Sequence, residues 1–249
     1  MKVAALYDIH GMLEPLRAVL RELEGRQVDA IVIGGDAISG PQPTETYELL
    51  RSIDTPLHWI RGNGERALGP DGTDAVIGEA EEALRFTALH FSDEERRELS
   101  SLPERVTLEV DGLGETLFCH ASPRNDLDIV TEGTPDGRLR FLLERLDEPV
   151  VVAGHTHMQL DRRIDAVRWI NPGSVGIPYE GEVAAFWALL GPDVEMRRTP
   201  FDVERSIETL LASGWPEAKS FVDENLRAAV GRDEVVPLFE QIAAERGER

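Results

Sequence analysis

The stretch Val3-Ala4-Ala5-Leu6-Tyr7-Asp8-Ile9-His10-Gly11 decides how this chain is read. Five apolar or aromatic residues in succession predict a buried strand, and the polar residues arrive only after it, beside a glycine that lets the backbone turn. The same pattern recurs along the chain. Gly34-Gly35-Asp36 follows Ala30-Ile31-Val32-Ile33, and Gly62-Asn63-Gly64-Glu65 follows Leu57-His58-Trp59-Ile60. His120 closes a strand containing Leu117 and Phe118, and Gly154-His155-Thr156-His157 follows Val150-Val151-Val152-Ala153. Leu13, Leu16, Val19, Leu20 and Leu23 recur at helical spacing between the first two strands, and 44–52 predicts another helix. Continuous apolar strands separated by helices predict an α/β protein with its sheets covered on both faces. In such sheets, sites form beyond the carboxyl ends of strands, and five ends here carry Asp, His or Asn.

Further along, 74–102 reads as helical, with Ser92 and Glu95 forming a capping box. Strands are predicted at 105–110, 115–119 and 150–153, a hairpin at 159–164 and 167–170, and strands at 183–190 and 193–198. From Phe201 the pattern turns helical over 202–213, 216–229 and 234–246, broken by Gly214 and Gly231. The division expected is a domain over 1–200 with a helical extension, 201–249, packed on it.

The chain has 249 residues, with 26 Lys plus Arg against 47 Asp plus Glu, a formal charge of −21. Such acidity opposes binding of long nucleic acid by phosphate neutralisation. Lys2 and Lys219 are the only lysines, and the arginines are scattered among acids in the sequence, which reads as no binding surface. No apolar run approaches the roughly 20 residues of a membrane-spanning helix, and the N-terminal apolar run is too short for a signal peptide. A single cysteine, Cys119, excludes an internal disulfide and a thiolate zinc cluster, so a cytoplasmic setting is expected.

Taken singly, each polar motif has an ordinary explanation. Gly-Asp after a strand is commonly a turn or cap, Gly-Asn-Gly is a turn signal, and a lone His such as His120 is commonly structural. Taken together they are another matter, because four of the six histidines sit in these motifs, interleaved with two Asp and one Asn. Imidazole and carboxylate donors without sulfur suit Mn, Fe, Zn, Co or Ni. Seven candidates exceed one tetrahedral ion and fit two ions about 3.5–4 Å apart, the arrangement used for in-line displacement at phosphorus.

The ordered series DIHG, GGD, GNGE, CHASP and GHTH resembles the calcineurin-like metallophosphoesterase superfamily. NPGSVGIP at 171–178 resembles its small prokaryotic phosphodiesterase branch. The resemblance covers roughly residues 1–200 and implies a four-layer α/β/β/α sandwich, with the helical extension outside the core pattern. It implies Asp8, His10 and His157 around one divalent ion, Asn63, His120 and His155 around a second, and Asp36 bridging both. It also implies a metal-bridging hydroxide as nucleophile, with manganese expected first among the possible metals. Two divalent ions, two Asp and a hydroxide sum to about +1, which attracts a phosphodiester anion.

Two positions depart from the family pattern. Many members carry a His where this chain has Gly64, which removes an obvious general acid, a role typically contributing about 10²–10⁴-fold. Glu65 could substitute, although a turn or supporting role is the plainer reading. Ser39 stands where many phosphatases have a second Asp and is expected to shape its loop. Arg124 could grip a phosphate oxygen over the site, or could simply be solvated. Asn171 could orient a ligand His or serve the Asn-Pro-Gly turn. His58, His90 and Cys119 are read as structural, and Tyr179, Phe186 and Trp187 as core or edge packing.

The function expected is hydrolysis of small phosphodiesters. A phosphomonoesterase is the alternative, lowered by Gly64 and Ser39. The −21 charge opposes a nuclease, and the full donor set opposes a catalytically silent scaffold of the same fold.

Overall fold

In the computed structural model, which describes residues 1–69 and 79–248, the opening strand is β1 (Val3–Leu6), buried throughout. It sits at the centre of a five-stranded sheet. Parallel to it run β2 (Ala30–Ile33) and β3 (Leu57–Trp59) on one side; antiparallel β9 (Ala185–Leu190) lies on the other, followed by β10 (Val194–Thr199). A second sheet takes the order β4 (Arg105–Val110), β5 (Gly114–Cys119), β6 (Val150–Val152), β8 (Val167–Pro172), β7 (Gln159–Ile164), with β5, β6 and β8 parallel.

The strand period of two explains why β1 carries no polar residue. Val3, Ala5 and Tyr7 face the second sheet and pack with Phe118, Val152 and Ile170. Ala4 and Leu6 face the other way, toward Leu16 and Val19 of α1 (Leu13–Glu24) and Leu50 of α2 (Pro43–Arg51). On the far side, Leu117, Val151 and Trp169 pack against Leu139 and Leu142 of α6 (Asp136–Leu142). Helix, sheet, sheet, helix are the four layers.

Among the described residues, three short helices lie between β3 and β4: α3 (Asn63–Ala67), α4 (Glu79–Leu89) and α5 (Asp93–Ser100). The helical run expected over 74–102 is thus divided, and its portion 74–78 lies outside the described residues. Ser92 divides it: its Oγ accepts from Glu95 N–H at 3.3 Å while Glu95 accepts from Ser92 N–H at 2.8 Å, starting a new helix there. Helix α6 was not expected, since seven residues that include Gly137 carry little helical signal of their own; packing on the second sheet supplies the missing stability.

The C-terminal helices are α7 (Val203–Ala212), α8 (Ala218–Phe221) and α9 (Arg232–Glu245). The stretch expected as one helix, 216–229, is α8 followed by a wider π-helical turn, Val222–Leu226. Ile207, Leu210, Val222 and Leu226 close over Met12 beside β1, and Arg205 donates to the buried Glu14 of α1 at 3.1 Å. At the other end, Arg232 donates to Glu180 at 2.7 and 2.8 Å, and Glu240 accepts from Thr134 at 3.0 Å. None of the helices among the described residues is long and apolar enough to cross a membrane.

Candidate metal centre

The loops after β1, β2, β3, β5 and β6 converge at one edge of the sandwich. They are laced together by backbone bonds: Asp8 N–H to Gly35 O at 3.2 Å, His10 N–H to Asp36 O at 2.9 Å and Gly154 N–H to His120 O at 2.6 Å. A Cβ at position 154 would stand 2.5 Å from both Asp8 Oδ2 and the Tyr7 ring, so only glycine lets this loop lie against Asp8. Asp8, His10, Asp36, His155 and His157 all have φ between 50° and 68°, the left-handed region that disfavours non-glycine residues. Only two other non-glycine residues among those described have positive φ, Arg145 and Asp165. Such strain, about 1–3 kcal/mol per residue, concentrates where side chains are held for a purpose.

All seven residues singled out from the sequence are brought together. His10 Nε2 lies 3.1 Å from His157 Nε2, which is 3.6 Å from Asp8 Oδ1. His120 Nε2 lies 3.0 Å from Asn63 Oδ1 and 3.8 Å from Asp36 Oδ1. The His155 ring centroid is 5.1 Å from that of His120, and its backbone N–H donates to Asp8 Oδ2 at 2.9 Å. Two triads could each surround an ion, Asp8–His10–His157 and Asp8–Asp36–His120, with Asp8 common to both.

The imidazoles are oriented from behind. His10, His120 and His157 each place Nδ1 against a carbonyl oxygen, of Ser39 (3.3 Å), Gly34 (2.9 Å) and Ile177 (2.7 Å). A carbonyl only accepts, so Nδ1 carries the proton, and Nε2 of the neutral His10 and His157 rings presents a lone pair to the centre. Two such lone pairs, those of His10 and His157, face each other beside Asp8 Oδ1, which is buried and without a hydrogen-bond donor. A cation resolves all three unsatisfied atoms at once, and the N/O donor set suits a divalent metal.

Electrostatics agree with a neutral donor state for His10, His155 and His157 and run the other way for Asp8 and His120. Burial lowers the pKa of His10, carries that of His157 well below its usual value with help from His10, and takes His155 down to about 3, with His120 contributing. Burial pushes Asp8 up to about 8 against the pull of His120, and the Asp36 charge adds to the rise. Burial works against ionisation of Asp36 too, yet His120, His10 and the Gly64 N–H hold its pKa below the usual carboxylate value. His120 is raised, because Asp36 and Asp8 outweigh its burial.

A family model describing the calcineurin-like phosphoesterase superfamily domain matches residues 1–190. The chain belongs to this superfamily. The superfamily's chemistry is metal-dependent hydrolysis of phosphoesters, and the C-terminal helices α7 to α9 lie beyond the matched residues. MJ0912, an uncharacterized protein of Methanocaldococcus jannaschii, is 26% identical over 232 residues, covering 86% of this chain and 94% of that protein. The crystal structure of a metallophosphoesterase from Sphaerobacter thermophilus is similar at TM-score 0.73 and 28% identity, covering 92% of this chain and 99% of that one. Hypothetical protein PH1004 from Pyrococcus horikoshii shares the fold at TM-score 0.76 and 22% identity, over 89% of this chain and 97% of its own.

At the two departures from the family pattern the structure is specific. A Cβ at position 64 would lie 2.5 Å from Ser39 Oγ and 3.0 Å from Asp36 Oδ1, while the Gly64 N–H donates to that same Asp36 oxygen at 2.7 Å. Glycine here lets the backbone itself bind Asp36. Glu65 is fully buried and spends both oxygens on backbone N–H groups, of Asp36 and Ala37 at 2.8 Å and Gly62 at 2.9 Å. It therefore ties the second and third motifs together rather than replacing the missing acid. Asn171 supports the fifth: its amide donates to Gly154 O at 3.0 Å and Thr156 Oγ1 at 3.1 Å.

Arg124 is placed differently from a side chain gripping a phosphate over the cluster. Its guanidinium lies 3.9 Å over the Phe141 ring and donates to Phe141 O at 2.9 Å and Glu144 at 3.2 Å, which turns it onto α6. It lines a cleft of about 390 Å³ that abuts His120, together with Arg61, Arg66 and Arg105. Arginines scattered in the sequence are thus gathered in space. Tyr179, expected in core or edge packing, instead stacks on His157 with ring centroids 5.1 Å apart and 16° between planes. The signal available was the length of the NPGSVGIPY turn, which returns Tyr179 N–H to His157 O at 3.2 Å.

Proposed function

We propose that the protein hydrolyses small phosphodiesters at a centre of two divalent ions. Asp8, His10 and His157 would hold one ion, Asn63, His120 and His155 the other, and Asp36 would be shared. The facing pair of His10 and His157 carries this reading, since both Nε2 lone pairs meet at 3.1 Å beside the donorless Asp8 Oδ1. When bound, the ions would acidify water and stabilise charge on the phosphoryl oxygens.

The chain's own residues do the remaining work. The carbonyls of Ser39, Gly34 and Ile177 keep the imidazoles in the tautomer that presents Nε2. Glu65 and Asn171 hold the strand-end loops in register. The cleft beside His120, with four arginines against Glu104 and Asp126, would raise the local potential for an anion, while the −21 charge of the whole chain would repel long polyanions. In the overall reaction the oxygen of water becomes bonded to phosphorus and the bond to one ester arm breaks. A phosphomonoester and an alcohol or phenol leave.

Preference for diesters whose leaving oxygen is weakly basic is supported by Gly64 and by the commitment of Glu65 to backbone N–H groups. The arginine cleft, able to hold the second charge of a dianion, favours a phosphomonoesterase as the second reading. Assays with Mn, Ni, Co, Fe or Zn added should turn over bis(p-nitrophenyl) phosphate faster than p-nitrophenyl phosphate. The reverse order makes the protein a monoesterase. No turnover of either ester with any metal overturns the hydrolase and leaves a scaffold of the same fold.

A further inference from the structure

On the side of the cluster away from the arginine cleft, a cavity of about 560 Å³ opens directly from His10 and His157. That volume falls within the range of small-molecule sites. Tyr179 forms its inner wall, and the C-terminal helices form its outer wall with Trp215, Phe221, Val235 and Phe239. Aromatic rings lead outward from the candidate ligands: Tyr179 lies against His157, and Phe239 lies 6.1 Å from Tyr179. Farther along the wall, Trp215 and Phe221 pack edge to face at 5.2 Å.

Two further observations bear on what the cavity would accept. Trp215 is only 7% exposed, and its indole N–H finds no acceptor in the protein. That nitrogen is itself buried, so Trp215 serves the wall through its ring. The charged side chains of the wall are Glu217 and Glu224, and neither arginine nor lysine lines the cavity among the described residues. Among the described residues Glu224 opposes a second phosphate there, whereas a neutral ring would meet faces and edges of other rings.

The outer wall is held firmly against the site. Arg232, at the start of α9, donates to Glu180 and, at 2.7 Å, to Gln159 O, and Gly181 N–H donates to Val230 O at 2.9 Å. The π-helical turn Val222–Leu226 contributes Glu224 and Asn225 to the wall, and such turns recur at functional sites.

We propose that this cavity is a binding subsite, built by the C-terminal helices, for a neutral aromatic arm of the phosphodiester. The proposal rests on the phosphodiesterase reading and names the substrate class for it. A phosphoryl group at the ligand cluster has one ester oxygen on the His10–His157 side, and an arm attached there enters the cavity against Tyr179.

Binding rather than turnover tests it. Diphenyl phosphate and dimethyl phosphate carry the same charge and differ only in their arms. Calorimetric titration of the metal-loaded protein should give roughly tenfold tighter binding of the diphenyl ester. Phe239→Ala removes part of the wall, and Ser220→Trp fills the cavity from an exposed rim position. Each should lower the aromatic preference by roughly three- to tenfold, with thermal melting confirming that each variant is folded. Two different sites make the test robust, because one folded variant suffices. Equal affinity for the two esters, or a preference unchanged in a folded variant, overturns the subsite. Failure to hydrolyse bis(p-nitrophenyl) phosphate, with the aromatic preference intact, overturns the hydrolase reading alone.

Discussion

Two clefts flank the candidate ligand cluster, and they are made of opposite materials. Beside His120 stand Arg61, Arg66, Arg105 and Arg124, all contributed by the part of the chain that matches the superfamily. Most of these charges are tethered, Arg61 to Glu104 at 2.6 Å, Arg66 to Asp126 at 2.6 Å and Arg124 to Glu144 at 3.2 Å. Beside His10 and His157 the wall is aromatic, and its outer half comes from helices beyond the family match. On the proposed function the difference divides the labour: the shared core would supply donors and positive charge for a phosphoryl group, and the added helices would shape what hangs from it.

The strongest test of that division acts on what both clefts share. Asp36→Asn should reduce turnover of every ester, whatever its arms, on the order of 10²–10³-fold, with bound metal lost. Elemental analysis sharpens the result, since Asp8 belongs to both close triads and Asp36 to one. If Asp36→Asn keeps an ion while Asp8→Asn loses both, the shared carboxylate is Asp8. Near-normal turnover in Asp36→Asn would remove its bridging role altogether.

Gly64→His comes next and bears on the arginine side. Because a Cβ at 64 would crowd Ser39 Oγ and Asp36, the single variant should lose about 1–3 kcal/mol of stability in denaturant melts. Gly64→His combined with Ser39→Gly should recover part of that loss, and in that background a rise of monoesterase over diesterase activity would show what the missing imidazole controls. A single variant as stable as the parent contradicts the crowding.

Metal uptake should also depend on pH, with a sign set by Asp8. Its carboxyl is raised to about 8, so the metal-free site is protonated there at neutral pH and must release that proton to bind an ion. Affinity should therefore climb by up to about tenfold per pH unit for that proton until pH passes about 8, and the raised His120 should steepen the climb. His155, lowered to about 3, is already neutral and adds nothing in that window. Calorimetry in buffers of different ionisation enthalpy counts the protons, and a count of zero at pH 7 refutes the coupling.

The smallest effect belongs to Arg105→Glu. Arg105 is exposed, so reversing its charge should weaken esters with an additional anionic group by only about two- to fivefold. The loss should shrink as salt is added, and diphenyl phosphate should be hardly affected. An equal loss for both ester classes would erase the contrast between the clefts.

Much of this was legible in the sequence because it is local. A buried strand followed by Asp, His or Asn and a glycine is a pattern within about ten residues, and all seven candidates were found that way. The strand run of β1 likewise announced a sheet covered on both faces, since Val3, Ala5 and Tyr7 pack one way and Ala4 and Leu6 the other. Less local features escaped. Glu65 was visible as a residue, but its three backbone donors come from two different motifs. Helix α6 depends on packing more than on propensity, and the stretch 216–229 reads as one helix until the π turn is seen.

The sequence by itself determined the α/β class, the strand ends that carry chemistry and the donor types gathered there, because each follows from short-range periodicity and composition. Only the tertiary structure decided that the Nε2 lone pairs of His10 and His157 face one another and that Tyr179 stacks on His157. It alone brought arginines from positions 61, 66, 105 and 124 to one cleft, and aromatic residues of the last helices to the other. The physical reason is separation along the chain. These contacts join residues tens to more than a hundred positions apart, held by sheet order and buried packing that no local pattern encodes.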